Sequence, residues 1–383
     1  MESPKDAAKS KIGASRSNDS DIGKKISRAH TAIKNQLIDN REPSGTINIA
    51  GAYEMSQQLL AGYATLDLAH YVEIQALANA ILAYSKDRSR RRPLNIVLHA
   101  EPGSGKSHFV KCLAKQLSDA RVKEIVFNTS SMRGVEDLAH PIDAVRDIKV
   151  SDQLPLLFLD EFDSKDDNFA ALLPLLWDGE VTVGSRLLQS GKMIVVLAGS
   201  GKRIDRVMRS LRRMKGGTGT TDGKLKDLLT RINGGELTIP PLDEVRGGRD
   251  RRVDKICLAI SLLRNRFGRS LTTVPWALLR FIVETKFRHG ARSVSTLVDQ
   301  IGAPSTTNKE LRLESLALPF YSVDSFVSSS LVFHIRMPSP EKVVARWQSL
   351  ARNTSLVTCA YEDTIWTRFI RNEPLFRGPL LRR

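Results

Sequence analysis

Leu94-Asn95-Ile96-Val97-Leu98-His99, running into Ala100-Glu101-Pro102-Gly103-Ser104-Gly105-Lys106-Ser107, decides the fold of this chain. The first six residues make a short apolar run of the kind that becomes a buried strand. The Gly-rich segment then turns the chain, and a helix is expected from Lys106 to Leu117. Glycines at this spacing let the backbone curl with amide N–H groups pointing inward, and the helix that follows presents its positive N-terminal end. Strand, Gly-rich turn ending in Lys-Ser, and helix together read as a phosphate-binding loop. In that reading Glu101, Pro102, Gly103, Ser104, Gly105, Lys106, Ser107 and His108 line an ATP site. Lys106 is directed to the β- and γ-phosphates and the Ser107 hydroxyl to Mg2+. The pattern usually opens with glycine; Ala100 stands there instead, small enough for the loop to close.

Working outward, Leu156-Leu157-Phe158-Leu159-Asp160-Glu161 is an apolar strand ending in two carboxylates. Its distance along the chain from Lys106 leaves room for one helix, one strand and a further connection. Asp160 is the candidate for holding the metal, mostly through water, and Glu161 for orienting and deprotonating the attacking water. Strands are also expected at Glu124–Asn128, Met193–Ala198 and Leu237–Ile239. Helices are expected at 54–63 and 68–84, around Phe169–Trp177 and around Lys224–Ile232. Alternating strands and helices imply an α/β fold, a parallel sheet sandwiched by helices.

The flanks differ. Residues 1–48 are polar and mildly basic, too poor in large apolar side chains to bury much surface, and are expected to be a flexible arm with room for a short helix at Ser27–Leu37. The core is expected over 49–242. Residues 243–303 read as a small all-helical lid, with helices starting near Arg251, Pro275 and Ser293 and no strand. Residues 304–383 read as a mixed C-terminal extension, with possible strands at Leu313–Leu318 and Leu331–Arg336 and a helix at Pro340–Ala351.

Composition bounds the function. The chain has 383 residues, 41% hydrophobic and 26% charged, which is ordinary for a globular protein. Cys112, Cys257 and Cys359 are widely spaced, without metal-ligand spacing, and an odd count argues against a disulfide framework; each is expected to be a small buried apolar residue. No apolar run reaches the ~18 residues of a membrane span, so a cytoplasmic location without membrane contact is expected. The net charge of +16 raises the odds of a polyanionic partner.

With the two anchors Pro102-Gly103-Ser104-Gly105-Lys106-Ser107 and Leu159-Asp160-Glu161 in place, the sequence resembles the AAA+ ATPases over roughly residues 50–303. Leu176-Trp177-Asp178-Gly179-Glu180-Val181-Thr182 followed by Met193–Ser200 looks like the helix, hairpin and fourth strand of that family's Clp-type branch. The resemblance implies roles at three further positions. Ser200 would stand where a polar residue senses the γ-phosphate; a plain strand-to-loop turn is the alternative. Arg231, in Leu228-Leu229-Thr230-Arg231-Ile232-Asn233, would be an arginine finger entering the neighbouring subunit's site; the alternative is a surface arginine at a helix end. Arg292, in Gly290-Ala291-Arg292-Ser293, would be the second sensor contacting the γ-phosphate, and an arginine beside a helix's positive end is otherwise unfavourable. A homo-oligomer, in this family a hexameric ring, is implied.

Two departures bear on what such an ATPase drives. The loop after the second strand, Asn128–Glu136, lacks the aromatic that threading unfoldases of the branch carry; an ordinary loop is the favoured reading, with Met132 as a weak substitute gripping residue the alternative. Residues 202–215 read as a basic amphipathic helix, with Arg206, Arg209 and Arg213 on one face, suited to DNA phosphates or an acidic partner; a surface helix whose arginines are solvated or pair with a neighbouring subunit is the alternative. Three functions stay open: a ring-forming ATPase that remodels a protein, a nucleic-acid-associated motor, loader or regulator, and a nucleotide-dependent switch or scaffold controlling a separate effector.

Overall fold

The apolar run before the Gly-rich loop is strand β1 (Leu94–Ala100), buried along all seven residues. In this computed structural model the residues described are 21–35, 46–49, 51, 62–63, 65–165, 167–199, 220–242, 251–268, 270–275, 278–279, 282–283, 285–287, 289–300 and 327–331. They fall into two compact units: Leu59–Tyr63 with Ala69–Pro241, and Met1–Gln58 with Ala64–Leu68 and Leu242–Arg383.

The first unit alternates helix and strand. Helix α1 (Leu68–Lys86) precedes β1, and α2 (Lys106–Gln116) follows the loop. Then come β2 (Val122–Asn128), α3 (Ala139–Val150), β3 (Leu154–Asp160) and α4 (Asp167–Asp178). A hairpin, β4 (Glu180–Val183) and β5 (Arg186–Gln189), leads to β6 (Ile194–Gly199), α5 (Thr220–Thr230) and β7 (Glu236–Ile239). The sheet runs β2-β3-β6-β1-β7 and every pair in it is parallel. The expected α/β sandwich is the observed fold.

Period-two alternation divides the core. Ile96, Leu98, Leu156, Phe158, Ile194 and Val196 face Ile74, Ile81, Phe109 and Leu113 of α1 and α2. Val97, Leu157, Leu159, Val195 and Leu197 face Ile142 and Val145 of α3, Leu172 and Leu176 of α4 and Leu228 of α5. A parallel sheet covered on both faces needs apolar residues at nearly every position, which is why its strands read as unbroken apolar runs.

Helix α3 was not expected. Its buried face is only Pro141, Ile142 and Val145, too narrow a stripe to stand out against Asp143, Arg146, Asp147 and Lys149. Met132 is 2% exposed inside the second core cluster, so it does not take the place of a gripping residue.

In the second unit a helix spans 21–35, with Ile26, Ala29 and Ile33 buried at helical spacing. It overlaps the short helix allowed for at Ser27–Leu37 and begins earlier than expected. Helix Arg252–Phe267 buries Val253, Ile256, Cys257, Ile260 and Leu263, and Gly290–Gln300 packs against it. Buried Asp254 accepts from the amide of Leu66 (2.8 Å) and faces Arg251 (3.2 Å), which also pairs with Asp67 (3.2 Å). The segment expected to hold no strand contains two short ones. Thr273–Pro275 pairs with Thr46–Asn48, and Thr285–Phe287 pairs with Val327–Leu331, so the C-terminal strand lies earlier than expected. The stretches 54–61, Leu313–Leu318 and Pro340–Ala351 lie outside the described residues.

Cys112 and Cys257 are buried thiols, as expected, and burial pushes both above the usual thiol range; Cys359 is outside the described residues. Among the described residues no helix is long and apolar enough to cross a membrane.

One backbone contact ties β1 to the turn before β7. The amide of Gly234 donates to the carbonyl of Asn95 (2.8 Å), and a Cβ at 234 would stand 2.8 Å from Ile96 Cγ1 and 2.9 Å from that carbonyl. Backbone cannot give way as a side-chain tip can. Gly234→Ala is expected to cost about 1–3 kcal/mol, read as a lower urea midpoint at unchanged m-value. Parental stability would show that the β1–β7 edge relaxes.

Candidate functional site

The loop's geometry follows from where the two strands end. Ala100 is the last residue of β1, 4% exposed and in register with Ile239 of β7. It is a packing residue of the sheet, and this explains why alanine is tolerated there. The turn begins at Glu101, whose carbonyl accepts from the amide of Ser104 (3.1 Å). Gly103 (φ 81°) and Gly105 (φ 91°) both lie in the left-handed region, where glycine carries no Cβ penalty. Gly105 then caps α2, accepting from the amide of Phe109 (2.9 Å).

Lys106 Nζ lies 3.5 Å from Asp160 Oδ1, with both side chains largely buried at 11% and 20% exposure. Asp160 Oδ1 also accepts from the amide of Glu161 (3.0 Å). The Asp160 carbonyl accepts from Thr129 Oγ1 (3.0 Å), and the Thr129 carbonyl from Asn168 Nδ2 (2.8 Å). The chain beyond β3 is tied back to β6 by Phe162 N donating to Ala198 O (3.2 Å). Between these restraints Glu161 is exposed and adopts φ 55°. A non-glycine residue in that conformation stores strain, and such strain clusters at functional positions.

Three observations bear on whether nucleotide phosphates and a divalent cation fit here. The hydroxyl of Ser104 is buried and finds no partner among the described residues. Ser107 and His108 are exposed on the first turn of α2, and the His108 ring lies 3.2 Å from the Gly62 carbonyl. Lys106 and Asp160 answer each other's charge where phosphate and metal would each take one of them. The donor set therefore fits: an orphan hydroxyl and the Lys106 ammonium for phosphate oxygens, and Ser107 with Asp160 for a hard cation.

The structure brings Ser104, Lys106, Asp160 and Glu161 to one end of the sheet. Arg231 lies elsewhere: its carbonyl accepts from Asn95 Nδ2 (2.9 Å), and Asn95 stands five residues before Ala100, about 16 Å along the strand. Arg292 is exposed in the second unit, in the first turn of Gly290–Gln300, its amide donating to His289 O (3.1 Å). Ser200 and residues 202–215 lie outside the described residues. Thr129, Asn168 and Asn95 were not singled out from sequence. Asn95 alone carried a signal, as an amide inside an otherwise apolar strand.

A strand, a left-handed Gly turn and a helix-borne lysine, with a carboxylate pair at the end of the parallel strand one place further across the sheet, beyond β6, define a P-loop nucleotide-binding domain. Residues 96–217 match the family described as "ATPase family associated with various cellular activities (AAA)". No curated protein matches it in sequence. Among solved structures it is similar to the Saccharomyces cerevisiae Hsp104–ADP complex (17% identity, TM-score 0.42, covering 65% of this chain and 46% of that one). It is also similar to Cdc6p of Pyrobaculum aerophilum (12%, 0.40, 60% and 60%) and to NtrX of Brucella abortus in complex with ATP (14%, 0.38, 59% and 48%). This chain thus spans roughly half to three-fifths of the structures it resembles.

The strain at Glu161 has a direct test. Asn tolerates the left-handed region and a β-branched residue does not. Glu161→Val is expected to be less stable than Glu161→Asn by about 1 kcal/mol or more in urea unfolding. Equal stabilities would mean that the backbone there relaxes and holds no strain.

Proposed function

We propose that this chain is an ATPase that binds ATP with Mg2+, hydrolyses it at sites shared between copies in a ring, and uses the cycle to remodel or regulate a macromolecular partner. The observation that carries this reading is the contact of Lys106 with Asp160 at one end of the sheet, with the strained Glu161 next to Asp160. Bound Mg2+ would neutralise developing phosphate charge. The chain's own groups do the rest. Amides of Gly103, Gly105 and Lys106 and the Ser104 hydroxyl cradle phosphate oxygens, and Lys106 reaches the terminal phosphates. Ser107 and Asp160 hold the metal. Glu161, held clear of the sheet by its left-handed backbone, takes the proton of the attacking water.

Arg231 is assigned as the finger. Its backbone stands about 16 Å along β1 from its own loop, more than an arginine side chain spans, so the phosphate it serves belongs to an adjacent copy. That is the argument for a ring, with six subunits as the expected number. Arg292 is the lid's sensor arginine and Ser200 the sensor at the end of β6. In this reading residues 49–242 are the nucleotide-binding core and 243–303 the lid. The cytoplasm is the proposed location.

Glu161→Gln is expected to cut turnover at least about 100-fold while ATP binding persists and the assembled form is stabilised. Lys106→Ala should lose ATP binding itself. Steady-state turnover, binding of a fluorescent ATP analogue and sedimentation with ATPγS read all three. Undiminished turnover in Glu161→Gln would remove Glu161 from the base role.

The net charge of +16 favours a second reading, a nucleic-acid-associated motor, loader or regulator. It requires DNA or RNA to stimulate turnover with a steep salt dependence. No binding at moderate salt leaves a protein partner or an effector-controlling switch.

A further inference from the structure

That Arg231 serves an adjacent copy's nucleotide belongs to the function proposed above, and the role of its neighbour Trp177 rests on that reading. The structure shows in detail how this arginine is held. Its amide donates to Leu228 O (3.0 Å) at the end of α5. Its carbonyl accepts from Asn95 Nδ2 (2.9 Å), and the same nitrogen donates to the carbonyl of Leu176 (2.6 Å). A primary amide has two N–H donors, so Asn95 spends both here. It is 0% exposed. One buried side chain on β1 therefore fixes the end of α4, which carries Trp177, to the residue just after α5, which is Arg231. The neighbouring Asn233 adds a second clamp, its Oδ1 accepting from Asn95 N (2.8 Å) and its Nδ2 donating to Pro93 O (3.1 Å).

The side chain is held by a different kind of contact. The Arg231 guanidinium carbon lies 5.1 Å from the centroid of the Trp177 ring, within cation–π range. Its Nε is buried and has no hydrogen-bond partner among the described residues. Arg92 sits against the same ring at 4.5 Å, with its Nη2 3.8 Å from Asp178 Oδ1. The contrast between the two arginines matters. A carboxylate holds a guanidinium by cancelling its charge, and an incoming phosphate must then displace it. An aromatic face orients the plane and leaves both the charge and the donor fork uncommitted. Arg231 is held in the second way, whereas Arg92 on the same ring faces a carboxylate.

We infer that Trp177 is the positioning residue for Arg231, presenting its guanidinium, charge uncompensated, to the terminal phosphate oxygens of a nucleoside triphosphate bound by a second copy of this chain. Asn95 sets the register between the two. Arg231 makes the contact with substrate; Trp177 acts through it.

The test is a double-mutant cycle on the full chain with Trp177→Leu, Arg231→Ala and the pair. Trp177 is 46% exposed, so removing its ring opens no core cavity. Trp177→Leu is expected to lower kcat about five- to thirtyfold, the range a cation–π contact of this type commands. Its KM for ATP and its binding of a fluorescent ATP analogue stay at the parental values, and Trp177→Phe recovers most of the loss. The double variant falls no further than Arg231→Ala. A readout independent of turnover is the indole emission assigned to Trp177, taken as parent minus Trp177→Phe. It changes when ATPγS assembles the parent and is unchanged by ATPγS in Arg231→Ala. Parental turnover in Arg231→Ala would refute the proposed function at that residue. An inactive Arg231→Ala beside a fully active Trp177→Leu, or additive losses in the cycle, would overturn this inference alone.

Discussion

Strand β1 hydrogen-bonds on both edges, to β6 and to β7, and that double register fixes the chemistry of the first unit. A strand paired on one side can slip by two residues and keep its burial pattern; one paired on both sides carries its neighbours with it. At the end of β1 the register sets where the loop turns and α2 begins. Through β6 it passes to β3, so that Asp160 stands opposite Ala198 and within reach of Lys106. At its start it places the Asn95 amide between the ends of α4 and α5. Loop, acidic strand end and arginine are thus held by one element.

The unit keeps little slack around the acidic end. Asp160 is tied through its carbonyl to Thr129 and through Oδ1 to the next amide, and Thr129 is tied in turn to Asn168. Such bonds, largely shielded from water, are costly to leave unmade. They hold Glu161 in a conformation it would not choose alone. Strain at this residue and saturation around it are two sides of one arrangement, since a strained conformation persists only where its surroundings over-determine it.

Much of this was legible in the sequence. The buried strands announced themselves because both faces of the sheet are covered, and the loop because glycine spacing and the Lys-Ser pair follow a strand. The unexpected features depend on packing and pairing that no local apolar pattern announces. Helix α3 has an apolar stripe of three residues and is fixed by packing on β2 and β3. Thr273–Pro275 and Thr285–Phe287 are too short to signal strand, and their partners, Thr46–Asn48 and Val327–Leu331, are remote. Burial of Met132 follows from the short helical turn at Thr129–Ser131, which no local pattern dictates. The candidate site divides the same way. Lys106 and Asp160 were readable as a pair, whereas the link from Asn95 to Trp177 and Arg231 exists only once three elements have converged.

Ala100 carries a consequence of another kind. Its methyl group is packed at the end of β1 in the core on the α1–α2 face of the sheet, beside Ile239. The cradle's aperture is therefore set by the volume of a side chain pointing away from it into the core. A larger residue at 100 would act as a wedge between the sheet and α2, displacing the helix start that follows the turn and with it amides that it never touches. The first place in the motif is a spacer, and glycine there is one way to keep the gap narrow; alanine, with its methyl group buried, is another.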